Sequence, residues 1–245
     1  MKKLLSIAVS SLALATTAGI SPDIGVSAIS VGGASNVIIP IKYKSLETGE
    51  NVTADALVAT NGLPSGTRLF VYLDNAYSAW TLLPTGWSGV DSSSTAVQGI
   101  TPGTPAENQS IPLGNAIWIV FPGSEKPESV YIYGKYQATG LTSTIARGTV
   151  STPVANLLCN PTAATVEGAA LITKLSGKAS AKDVISPIGN SFTGNYIFNG
   201  TVWKHYYDDN GQMKIDSGVL PSIAAGQGFW YTSKGGEGSS FTIEW

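Results

Sequence analysis

The chain has 245 residues, a formal charge of −2, only 12% charged residues and a single cysteine. So few and so scattered lysines and arginines argue against nucleic acid or anionic lipid as a partner, because both are recognised by clustered basic side chains. Cys159 has no second cysteine to pair with, so stability must come from apolar burial, for which about 225 residues after any leader are ample.

The first segment reads as a secretory signal peptide over 1–18. Lys2 and Lys3 precede an apolar run from Leu4 to Leu14 that is too short to span a bilayer, and small residues up to Ala18 then offer a cleavage site after Ala15 or Ala18. Its removal takes the formal charge to −4, since two lysines leave with it. No later stretch is long and apolar enough for a transmembrane helix. The expected location is therefore outside the cytoplasm: periplasm, outer surface or medium.

Beyond residue 18 the composition points to strands. Glycine (28) and proline (13) punctuate runs rich in Thr, Val, Ile and Tyr. Phe70 to Leu73 and Phe241 to Trp245 alternate, as half-buried strands do, whereas Ile117 to Phe121 is continuously apolar, as a strand covered on both faces would be.

An internal repeat organises these strands. Ser35 to Pro40 returns as Ala155 to Pro161, Val52 to Val58 as Val166 to Ile172, and the hairpin ending at Trp80 as the one ending at Trp203. The fourth piece is the clearest: Ile111-Pro-Leu-Gly114-Asn-Ala-Ile-Trp118 returns as Ile223-Ala-Ala-Gly226-Gln-Gly228-Phe-Trp230. The offsets of 120, 114, 123 and 112 residues differ only by loop-sized amounts. The reading is a mainly β protein of two tandem, diverged, β-sandwich-like copies, 19–137 and 138–245. Each copy should carry one short helix, and the two should pack closely.

Within the second copy, Thr165 is a candidate N-cap for a helix with Val166, Ala169, Ala170 and Ile172 on one face and Gly177 as its stop. A second short helix over 181–185 would end before Pro187. Asn199-Gly200 and Asn210-Gly211 predict two-residue hairpin turns.

The motifs Asn156-Leu-Leu-Cys-Asn160-Pro161 and Gly226-Gln-Gly228-Phe229-Trp230, with the aromatic hairpin Tyr196 to Trp203 between them, resemble an uncharacterised exported β-rich domain of Bacteroidetes and Verrucomicrobia surface proteins. The resemblance covers less than half of the chain and departs at Cys159; the first copy lacks the second Asn. It implies a surface or secreted location and a fold, not an activity.

Gly114, Trp118, Gly226, Gly228 and Trp230 are expected to be architectural, with glycines allowing close backbone approach and the large rings filling a core. Trp87, in the loop-like Pro84 to Gly89, is the candidate for exposure; with Trp80 and Tyr77 it would form a glycan- or peptide-binding platform, the alternative being a cap over a core. His205 is the sole histidine and no G-x-S-x-G elbow accompanies it. Asp208 to Gln212 has Tyr206 where a calcium loop needs its first acid, so a hairpin turn is expected there. No phosphate loop, CxxC pair or dinucleotide fingerprint occurs, and neither cofactor nor metal is expected.

These features point to an exported, non-catalytic structural or interaction protein of the bacterial envelope, adhesin-like or pilus-associated, with envelope or surface proteins as partners. The alternatives are a carbohydrate-binding module that takes glycans through exposed aromatics and, third, a secreted hydrolase.

Overall fold

The computed structural model describes residues 24–33, 36–53, 58, 62–73, 76–88, 110–123, 125–137, 139–188, 194–217, 220–236 and 240–245. The segment read as a signal peptide lies outside them. The protein is mainly β, with several antiparallel sheets in a sandwich-like arrangement.

In the front half, β2 (Asn36–Pro40), β9 (Ala116–Val120), β5 (Arg68–Leu73), β6 (Ala76–Leu83) and β7 (Gly86–Ser88) form a five-stranded sheet in that order. A second layer of β1 (Ile24–Ser30), β10 (Ser129–Tyr136) and β3 (Tyr43–Lys44) closes over it, and β4 (Val52–Thr53) pairs with β8 (Ser110–Ile111). Alternation aims one face of each layer inward. Ile39, Ile117, Ile119, Leu69, Val71 and Trp80 from the first meet Val130, Ile132 and Tyr43 from the second. Gly25 and Gly134 sit beneath the Tyr43 side chain, where a Cβ would overlap it, and the Tyr43 hydroxyl reaches Ser27 Oγ at 2.6 Å.

The back half holds a six-stranded sheet ordered β12 (Val154–Cys159), β17 (Gly228–Ser233), β13 (Val184–Pro187), β14 (Gly194–Phe198), β15 (Trp203–Asp209) and β16 (Gln212–Ser217). Its inner face is covered by α1 (Gly168–Leu175) and by the pair β11 (Thr142–Ile145) and β18 (Phe241–Glu244). Leu171, Leu175, Ile145 and Ile243 there pack against Phe229, Tyr231, Ile185 and Trp203.

Among the described residues, every ladder joins strands on the same side of residue 137. The halves meet in a third, smaller cluster: Ala116, Leu157 and Cys159 are buried there with Ile38, Tyr72, Ile188 and Trp230 around them.

Several local expectations change. One helix occurs among the described residues; in the front half Val52–Thr53 are strand, and 54–57 lie outside the description. The helix begins after Glu167 without a side-chain cap and buries Gly168, Leu171 and Leu175, not the face centred on Ala169 and Ala170. Val166 instead bridges Ile223, and Gly168 is pressed so closely on the Leu220 carbonyl that a Cβ would overlap it. Backbone contact, not cap chemistry, sets the helix start. Gly177 does stop it, at φ +70°.

The segment expected as a second helix is a turn followed by β13, because β17 and β14 flank it on both sides and complete its ladder. Asn210 and Gly211 adopt φ of +56° and +83° and close β15 onto β16 in two residues. Asn199 instead opens a four-residue loop, where its Oδ1 accepts from the amides of Thr201 and Val202, each at 2.9 Å.

Candidate functional site

The repeated Gly/Trp element forms the seam between the halves. Gly114 donates its amide to Ile41 O at 2.9 Å, and Ile41 donates back to Asn115 O at 3.0 Å. Gly226 donates to Asn160 O at 2.9 Å, and Asn160 donates back to Gln227 O at 3.0 Å. Both glycines take positive φ, +79° and +73°. Each turn faces the opposite half: a Cβ on Gly114 would overlap Ser143 Oγ, and one on Gly226 would sit 3.2 Å from Pro40 Cγ. Gly228 likewise lies under Ile38, with no room for a side chain. The Cys159 amide crosses the seam to Gly114 O at 3.0 Å.

The two motif tryptophans stand apart from the two main cores, and Trp230 packs against the smaller cluster at the seam. Strand alternation turns Ile117, Ile119, Phe229 and Tyr231 inward and leaves Trp118 and Trp230 on the opposite faces, half-buried. Trp230 meets Tyr72 of the front half edge-on at 5.1 Å, and Trp118 packs on Phe70 at 5.7 Å.

Ladder positions also refine the internal matches. Ile38 and Leu157 each stand opposite the motif tryptophan, so the strands align one residue away from the Asn36–Asn156 match. Counting outward from there, Leu69 and Ile185 take like ladder positions, and Trp80 and Tyr196 do next, with Trp203 one strand further out. Neighbouring hairpins carry similar alternating patterns, so sequence alone cannot tell which of two consecutive hairpins is the counterpart.

The aromatic platform does not assemble as expected. Trp80 is fully buried in the first core, and Trp87 packs partly against that core with its indole N–H shut off from solvent and without a partner among the described residues. An indole so placed has no free polar edge to offer a sugar. Tyr77 lies on β6 opposite Tyr72, and its side chain is outside the description.

His205 stands on β15 between two rings, Tyr196 at 4.5 Å and Tyr207 at 4.8 Å, both nearly parallel to it. Its Nδ1 lies 3.5 Å from Asp216, and its Nε2 side closes over Gly194. Tyr196 faces it across the ladder and Tyr207 lies two residues along the same strand, so the imidazole is held between aromatic faces. Asp208 Oδ1 accepts the Gly211 amide at 2.8 Å and Asp209 pairs with Lys214, so these acids serve the hairpin. Among the described residues no group of three or more His, Cys, Asp or Glu is placed to hold a metal.

Several buried polar groups are tightly held, among them Asp183, which the sequence did not single out. Asp183 is fully buried. Its Oδ2 accepts from Tyr231 Oη at 2.6 Å and Ser180 N at 2.9 Å, and its Oδ1 from Lys234 N at 2.7 Å and Gly235 N at 3.3 Å. Burial, then the adjacent Asp183 charge, pushes the Tyr231 phenol well up. Asn156 and Asn160, from the opening motif, bind backbone: Asn156 Oδ1 takes the Ala146 amide at 2.8 Å, and Asn160 Nδ2 donates to Ala164 O and Ile223 O. In the sequence Asp183 is a single acid directly after Lys182, with no pattern that marks it.

Cys159 is buried at the seam, its thiol 2.9 Å from Asn115 O. Burial pushes it up to about 12, against smaller opposing effects of the Ile41 backbone and the Lys42 charge. A thiol reagent at pH 8 is therefore expected to leave the folded chain unmodified and to label it only in denaturant. The folded state holds this proton more tightly than the unfolded chain, whose thiol ionises near 9.0. Stability should be intact below about pH 9 and decline as pH rises toward 12. Fast labelling of the native chain, or a flat alkaline profile, would contradict this placement.

A shallow cleft of about 200 Å³ opens beside the seam, lined by Lys44, Asn51, Gln137, Thr142 and Thr144 among others. No helix among the described residues is long and apolar enough to cross a membrane. No family model, curated protein or solved structure matches the chain.

Proposed function

We propose that this chain is an exported, non-catalytic structural or interaction protein of the bacterial envelope, built from two diverged copies of one β unit. The carrying observation is how the chemistry-bearing side chains are employed. Asp183, Asn156, Asn160 and Cys159 are buried clamps on the backbone, and His205 is stacked between tyrosines. Groups engaged in this way stabilise the fold and are withheld from substrate.

The duplication is supported by the matching amide exchanges of Gly114 with Ile41 and of Gly226 with Asn160, and by the shared order β2-β9-β5-β6 and β12-β17-β13-β14. The leader-like 1–18 and the motif resemblance support export. A glycan-binding reading would rest on Trp87 with little help, since Trp80 is sealed in the core.

The test is expression of the full chain in a bacterial host with fractionation, mass spectrometry of the mature end, and cross-linking in intact envelopes. The expected result is loss of 1–18, recovery outside the cytoplasm, and capture of discrete envelope or surface partners. An unprocessed cytoplasmic chain, or a hydrolytic activity abolished by His205→Ala in a chain that still folds, would overturn the reading.

A further inference from the structure

We propose that the β16 edge pairs with the β16 edge of a second copy, antiparallel and centred on Ile215, joining two six-stranded sheets into one; this rests on the interaction-protein reading above. β16 is hydrogen-bonded to β15 on one side, and no described strand lies on its other side. At the far end of the same sheet, β12 is engaged instead, through Asn156 with Ala146 and the Leu158 bridge to Asn115.

The turn fixes which backbone groups are free. A two-residue turn at Asn210-Gly211 closes on a hydrogen-bonded pair, Asp209 with Gln212. Bonded and non-bonded pairs then alternate along an antiparallel ladder. Lys214 and Asp216 direct their amides and carbonyls to β15, and Met213 and Ile215 direct theirs to the open edge. The same two residues are the most exposed large apolar side chains among those described, at 69% and 59%.

Charge selects the register. With Ile215 opposite Ile215 of the second copy, Lys214 of each strand faces Asp216 of the other at a non-bonded pair, where side chains lie closest. A two-fold centred on Lys214 or Asp216 would oppose like charges, and one centred on Met213 would leave both ions unmatched. A lysine alone on an edge strand deters pairing; here Asp216, two positions on, makes the edge self-complementary. Within the same copy Lys214 also pairs with Asp209, and Asp216 Oδ1 lies 3.5 Å from His205 Nδ1.

The experiment is sedimentation of the mature chain over a wide concentration range, beside Lys214→Glu, Asp216→Lys and their equimolar mixture. Each single reversal should weaken self-association about tenfold or more. The mixture should restore it, because the glutamate introduced in one copy then faces the lysine introduced in the other. Ile215→Pro removes an outward amide without breaking the β15 ladder and should give a folded monomer. A wild-type chain that stays monomeric overturns the pairing, as does association untouched by the single reversals or not restored in the mixture. Envelope cross-linking of Ile215→Pro separates the two readings: partners captured by this monomer keep the interaction reading even if the pairing fails. A charge-swappable dimer with no envelope partner keeps the pairing and removes that reading.

Discussion

Replacing Asp183 by alanine should destabilise the protein by about 3–5 kcal/mol, among the largest effects of any single substitution. The carboxylate gathers the Ser180, Lys234 and Gly235 amides and the Tyr231 hydroxyl around one fully buried point. Alanine would leave those donors unpaired where water does not reach, and each such group costs about 1–3 kcal/mol. Tyr231→Phe removes one arm and should cost about 1 kcal/mol. Asp183→Asn keeps the volume but turns an acceptor into a donor facing donors, so its loss should fall between the two. Chemical denaturation followed by tryptophan fluorescence measures the series. A loss below about 1 kcal/mol for Asp183→Ala would mean that this cluster contributes little to stability.

Gly114→Ala is the second large effect, with an expected loss of about 2–4 kcal/mol. Two penalties coincide there. The backbone sits at φ +79°, where a Cβ is disfavoured, and that Cβ would run into Ser143 Oγ and lie 3.1 Å from Thr142 O on the other half. Ser143 has little freedom to yield, being fully buried and receiving the Trp245 indole N–H at 2.6 Å. Gly226→Ala carries the same backbone strain but meets only Pro40 Cγ at 3.2 Å, so about 1 kcal/mol is expected. Thermal melts of the pair decide the matter: equal losses would mean the seam is not closely packed at Gly114.

Alternation and Gly/Pro punctuation pointed to strands because strand side chains obey a strict two-residue period that burial on one face makes visible. Asn210-Gly211 was legible because positive φ at two successive positions is a demand few residues meet. That Trp118 and Trp230 face away from the two main cores was not legible, because an apolar strand does not say which of its faces meets the larger core. Asp183 was invisible because three of its four donors, from Tyr231, Lys234 and Gly235, lie about fifty residues away along the chain.

The sequence by itself determined the β class, the hairpin at residues 210–211, the helix stop at Gly177 and the special status of Gly114 and Gly226, since each follows from local backbone sterics or from a short-range period. Only the tertiary structure decided that Trp80 is sealed while Trp230 packs across the seam on Tyr72, that residues 184–187 form a strand, and that Asp183 is a hub. Those outcomes depend on which distant segment supplies the opposing face or the matching donor, and contacts between residues far apart in the chain leave no period in it.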